Sequence, residues 1–158
     1  MTKSILRKYA KLIVKMGVNI KKGQGAVILA DTAQSEIALM VAEEAYRAGA
    51  KWVDIRWTNQ DLDKMRYKKE SVKVLSATQE WEKARMQYEL DELPVRIWID
   101  SDDPDGLKGV NVEKMQKANL ARMKVRKPYR DAMENKYQWT IVAVPSAKWA
   151  KKVFPNDR

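Results

Sequence analysis

The sequence has no cysteine and no histidine. Without cysteine there is no disulfide framework, no thiolate metal site and no cysteine nucleophile, and the expected compartment is the cytoplasm. Without histidine the commonest metal ligand and the commonest general base near neutral pH are both missing. Serine triads, His-Glu-x-x-His zinc motifs and His/Cys deaminase signatures are excluded. Carboxylates remain, and they suit only a hard cation. No apolar run approaches the roughly 18 residues that a membrane span needs, so no membrane partner is expected. The basic N-terminus lacks the apolar stretch and small-residue cleavage site of a signal peptide.

What is present is a basic chain of 158 residues, 45% of them hydrophobic, with a formal net charge of +10. The length fits one domain, or one domain with a long excursion, and the apolar share is enough for a core. The excess charge sits in two places. Lys3, Arg7, Lys8, Lys11, Lys15, Lys21 and Lys22 open the chain with no acid among them. Lys114, Lys117, Arg122, Lys124, Arg126, Lys127, Arg130 and Lys136 face only Asp131 and Glu134. Such runs are read either as a surface for nucleic acid or an acidic partner, or as solvated helix faces. No nucleic-acid motif accompanies them, which favours the solvated faces.

The organising stretch is Gly25 to Trp57. Ala26 to Ala30 is a short unbroken apolar run, the mark of a strand covered on both faces. Asp31 or Thr32 can cap the helix that follows. Ile37, Met40, Val41, Ala45 and Ala48 recur at helical spacing, Glu43 stands four residues before Arg47, and Gly49 closes the helix. Lys51 to Trp57 alternates as a strand does. The unit is βαβ, which implies parallel strands and a right-handed crossover.

Around it, residues 4 to 16 read as a helix with Leu6, Tyr9, Ala10, Ile13 and Met16 on its apolar stripe, Thr2 or Ser4 as its cap and Gly17 as its stop. Gly23-Gln24-Gly25 precedes the strand, whereas a dinucleotide loop must follow one, so nucleotide binding is not expected. Asn59 to Leu93 reads as three helical pieces, the last carrying Trp81, Ala84, Arg85, Tyr88 and Glu92 on one side. Packing or a lid would both account for so long a connection. Val95, Ile97 and Ile99 face one way in a third strand, and Arg96, Trp98 and Asp100 the other, the less covered way. Asn111 caps a further helix that Pro128 is expected to interrupt, with a second helix running to Met133. Trp139 to Val144 resembles the first strand and Pro145 ends it. Ser146 caps a last helix carrying Trp149, Ala150 and Val153, and Phe154-Pro155 closes that helix ahead of the tail Asn156-Asp157-Arg158.

The order predicts an α/β domain, a layered sandwich with a mostly parallel sheet of about four strands and helices on both faces. Strands one and four are expected at its centre and strand two at an edge. Asp102, Asp103 and Asp105 would suit a cation, but their spacing matches no EF-hand and turn chemistry explains them. The carboxyl ends of the strands gather Asp31, Asn59, Asp61, Asp100 and Asp102, an edge better suited to a cation or an amine than to a phosphate. Helix capping is the competing account of the same residues.

Five segments, in this order, resemble one family. They are LRKYAKLIVKMGVNIKKGQGAVILAD, EEAYRAGAKWVDIRW, DLDKMRY, the Asp-Pro-Asp-Gly-Leu-Lys-Gly-Val run from Asp103 to Val110, and WTIVAVPSAKWAKKVFP. The chain is similar to the N-terminal half of the AmpS/AmpT-type metalloaminopeptidases, the thermophilic aminopeptidase family. The resemblance implies a hydrolase that releases N-terminal amino acids from peptides, with two divalent metal ions, of zinc or cobalt type, held by a C-terminal domain. It therefore implies that residues 1–158 are a domain without catalytic, cofactor-binding or metal-binding residues of its own. The partners it implies are the C-terminal catalytic domain of the same polypeptide, peptide substrate in the intact enzyme and a second copy in a homodimer. The domain would flank the active-site cleft and support dimerisation. A stand-alone basic module for nucleic acid or an acidic protein is the alternative.

Overall fold

A computed structural model describes residues 2–144 and 146–154. The expected strand stop at Pro145 and the tail from Pro155 to Arg158 fall outside these residues. The described chain divides into two compact units. Of the described residues, the first comprises 2–59, 93–104, 137–144 and 146–154, and the second 60–92 and 105–136.

The first unit holds the sheet. Its strands are β1 (Gly25–Asp31), β2 (Trp52–Thr58), β3 (Val95–Asp100) and β4 (Trp139–Ala143), in the order β2-β1-β3-β4. All three pairings are parallel. The α/β class with a four-stranded parallel sheet is therefore as the sequence implied. Register aligns Ile28 with Ile55 and Ile97, and Leu29 with Arg56 and Trp98. Successive side chains alternate across the sheet, so these are rows on opposite faces.

One face is the core of this unit. Ala26, Ile28 and Ala30 from β1 and Val95, Ile97 and Ile99 from β3 are buried there. Helices α1 (Lys3–Leu12) and α2 (Ser35–Arg47) add Leu6, Ala10, Ile37, Val41 and Ala45. Fully burying one such aliphatic side chain contributes about 1.5–3 kcal/mol, so this layer dominates the stability of the unit. Thr2 caps α1 through a bond from the Ile5 amide, and Asp31 caps the 3-10 turn before α2 through the Ala33 amide at 2.8 Å. Gly49, at φ +100°, turns the chain out of α2 in the left-handed region that a side chain would disfavour. Gly25 meets a different demand, because the Trp52 indole crosses directly over it on β2.

Two expectations fail here. Strand β4 is an edge and not a central strand. Its Trp139 and Ile141 are 58% and 61% exposed, while Val142 only partly packs on the core. An unbroken apolar run marks a buried strand only when both faces are covered, and β4 turns an apolar face outward. Strands β1 and β3 take the centre, and β2 is the other edge as expected. Met16 also leaves the apolar stripe and is 75% exposed. The chain widens from α1 into a π turn at Ile13–Gly17, which shifts the helical phase and buries Val14 instead.

The second unit is helical, with α3 (Gln60–Lys69), α4 (Val72–Ser76), α5 (Glu80–Glu92) and α6 (Val112–Met133). Ser71 caps α4 and Asn111 caps α6. The helix α6 runs through Pro128 without stopping, against the expected interruption. On α5, Trp81 and Tyr88 are exposed, and the buried side carries Glu82 and Glu89. Such carboxylates are tolerated in an interior only with partners. Glu82 accepts from Arg122 of α6 at 2.5 Å and from the Gln79 amide at 2.9 Å. Arg122 also donates to the Ala77 carbonyl at 2.7 Å. The last helix, α7 (Ala147–Val153), belongs to the first unit and is capped by Ser146.

Candidate functional site

In a parallel sheet all strands end on the same side, and ligands collect where the connections diverge. Here that point lies between β1 and β3. The connection from β1 leads to β2 on one side, and the connection from β3 leads to β4 on the other. A cavity of about 500 Å³ opens in the first unit beside this point.

Its base comes from Leu29 and Ala30 of β1 and Ile99 of β3. Its wall is aromatic. Trp98 and Trp139 meet edge to face, with ring centroids 6.4 Å apart and planes at 83°, and Tyr137 and Ile141 extend the same wall. Edge-to-face packing of this kind holds both indoles in one orientation. The rim is polar, with Thr58 at the end of β2 and Asp100 and Asp102 at and beyond the end of β3. Asp100 accepts from the Asp102 amide at 3.4 Å, and both side chains remain exposed. Among the described residues that line the cavity there is no lysine or arginine. Arg96 holds its guanidinium 5.3 Å from the centre of the Tyr137 ring, and Arg56 is the register neighbour of Leu29, paired with Asp54.

The carboxyl edge expected from the sequence is thus divided. Asp100 and Asp102 reach the cavity. Asp31 caps the turn before α2, and Asn59 donates to Thr32 Oγ1 at 2.9 Å, so both serve local structure. Asp61 belongs to the first turn of α3 in the other unit. Asp103 pairs with Lys148 at 3.8 Å, and Asp105 lies in the second unit. The three aspartates of that loop do not converge, and among the described residues no three carboxylates gather in a way that would hold a metal ion. Sequence reasoning missed Leu29, Thr58, Tyr137, Trp139 and Ile141 as cavity residues. The alternation in β3 did place Trp98 beside Asp100 on the less covered face, which was the one available signal.

The two basic runs are built differently from a ligand site. Lys11, Lys15, Glu44 and Arg47 line a shallow recess, where Arg47 pairs with Glu43 and Glu44. On α6, Arg122 is committed to Glu82, Lys127 to Asp131 and Arg130 to Asp131. Among the described residues no helix is long and apolar enough to cross a membrane.

Comparison with known proteins places this geometry in a family. Aminopeptidase PepS of Streptococcus thermophilus is 34% identical over 155 residues, which is 98% of this chain and 38% of that protein. Aminopeptidase AmpS of Bacillus subtilis is 32% identical over 152 residues, which is 96% of this chain and 37% of that protein. The solved structure of wild-type AmpT from Thermus thermophilus superposes with a TM-score of 0.82 at 29% identity, covering 98% of this chain and 39% of that one. The chain spans about two-fifths of the length of these relatives. A family model described as thermophilic metalloprotease (M29) matches residues 2–158. A match of that extent, over a sheet that superposes on a solved aminopeptidase, makes this chain a member of the M29 thermophilic metalloprotease family.

Proposed function

We propose that residues 1–158 are the non-catalytic N-terminal domain of a metal-dependent aminopeptidase, a cytoplasmic hydrolase releasing N-terminal amino acids from peptides. The observation that carries this reading is the pairing of a family match over nearly the whole chain with a donor set unfit for the family's metal. The sequence has neither histidine nor cysteine, and the described carboxylates form no group able to hold an ion. The ligands for the two divalent ions would come from the part of the relatives that this chain does not span. When bound there, the metal would activate water for attack on the peptide bond. The role of this domain would be to flank the cleft, limit access to it and support a homodimer.

The test is an assay of the pure polypeptide on amino-acid p-nitroanilides with zinc or cobalt added. No turnover is expected. Sustained turnover that a chelator abolishes would overturn the proposal. Fluorescence anisotropy with labelled RNA, DNA and an acidic peptide across a salt series separates the basic-module alternative. Saturable binding that falls steeply with salt would favour that alternative.

A further inference from the structure

We propose that the cavity beside β1 and β3 is a binding site for a small hydrophobic cation, an alkyl- or aryl-ammonium ion. The inference does not depend on the aminopeptidase reading. It rests on how the charge and the aromatic surface of the cavity are distributed along the strands.

The carboxylates of the cavity are gathered at one end. Asp100 and Asp102 stand at the carboxyl end of β3, and the wall behind them is Trp98, Trp139 and Tyr137. Arg96 sits against Tyr137 at the other end of β3, four residues from Asp100. At about 3.3 Å per residue the two charges lie roughly 13 Å apart along the strand. A ligand entering this field is oriented by it. Its cationic head belongs beside the two carboxylates, the end away from Arg96, and its apolar tail lies against the indoles. An anion would meet two carboxylates at the rim, and a neutral molecule would forgo their attraction.

The aromatic wall adds a second preference. Indole and phenol faces attract cations, most strongly when water is excluded. The protein already uses this attraction in the wall, where Arg96 lies over one face of Tyr137. Trp98 and Trp139 are fixed against each other, so a tail is received without first ordering the side chains that receive it. A volume of about 500 Å³ lies within the range of pockets that hold small molecules.

The probes are 2-phenylethylammonium, neutral 2-phenylethanol and anionic phenylacetate, titrated into the protein at millimolar concentrations. The readout is the indole N–H resonances, assigned with Trp98→Phe and Trp139→Phe. Saturable binding of the ammonium is expected, with the largest shifts at Trp98 and Trp139 and weaker binding of the alcohol and the acid. The double variant Asp100→Asn, Asp102→Asn should bind the ammonium roughly threefold to tenfold more weakly and the alcohol unchanged. Both positions are exposed, and asparagine at position 100 keeps the oxygen that accepts from the Asp102 amide; thermal melting of the double variant verifies that it is folded. Trp139→Ala, at a 58% exposed position, should weaken the ammonium and the alcohol together. No saturable binding, equal binding of the three probes, or unchanged affinity in the double variant would each overturn the proposal. So would shifts confined to other tryptophans.

Discussion

Arg122 and Glu82 join the two longest helices of the second unit at 2.5 Å, with the same guanidinium also bonded to the Ala77 carbonyl. Neither side chain is much exposed, at 22% for Arg122 and 11% for Glu82. Removing one member of a poorly solvated pair leaves the other charge without its partner, and that cost exceeds the worth of the pair itself. Arg122→Leu should therefore destabilise the second unit by about 3–4 kcal/mol. Glu82→Gln, which keeps one oxygen for one of the two hydrogen bonds and loses the other, should cost less, about 2 kcal/mol. Urea melts followed by circular dichroism would measure both, and equal losses in the two variants would contradict the argument.

The same pair predicts a pH dependence. Burial alone would raise the Glu82 carboxyl, but the Gln79 amide and the Arg122 guanidinium outweigh it and hold the group below its ordinary value. A carboxyl whose folded value is depressed stabilises the fold fully above its unfolded value. That contribution is lost as the pH falls from the ordinary carboxyl range through the depressed folded value. Stability measured across acid pH should fall over this window in the native chain and fall less steeply in Glu82→Gln. Arg126 does not replace Arg122 in this role. It stands 3.9 Å from Glu82 and adds only the smallest of the influences that lower that carboxyl.

Gly25 offers a prediction for the sheet. A Cβ placed on it would lie 2.2 Å from Cζ2 of Trp52, inside any contact two carbons can make. The indole must move, and its ring leans on the first residue of β1 at the edge strand. Gly25→Ala should cost about 1–3 kcal/mol, the usual penalty for overpacking. Adding Trp52→Ala should cancel most of that added cost, because the clashing ring is gone. A double-mutant cycle by thermal melting reads the coupling, and additive losses would exclude the contact as the cause.

The parts of this fold that the sequence disclosed are those where local pattern and long-range packing agree. Ala26 to Ala30 is apolar on both faces, and β1 is indeed central; Glu43 and Arg47 pair as their spacing implies. Strand β4 misleads because its pattern reports the presence of apolar side chains and not what covers them. Trp139 and Ile141 look like core and stand exposed. Met16 misleads for a different reason, since a π turn changes the period on which the stripe was counted. The cavity was legible only in part. Asp100 and Trp98 share a face by alternation within one strand. Tyr137, Trp139 and Leu29 join them only through the pairing of β1 and β4 with β3, which periodicity does not encode.

Pro128 is the residue at which α6 departs furthest from its own propensities. It lies inside a helix of 22 residues, exposed, where it offers no amide to the preceding turn and its ring crowds the carbonyl four residues back. A proline within a helix costs about 3 kcal/mol relative to alanine. Against this, proline restricts the unfolded chain and so recovers about 0.4–1 kcal/mol. The helical term is the larger, so Pro128→Ala should stabilise the second unit by about 2 kcal/mol. Helix α6 continues for five residues past Pro128 to Met133, which is itself buried, so the gain should appear as greater protection of amides 129–133 as well as a higher denaturation midpoint. Hydrogen exchange across that segment distinguishes a repaired helix from an effect on the unfolded chain alone. Unchanged protection with a lower midpoint would overturn the argument that Pro128 weakens α6.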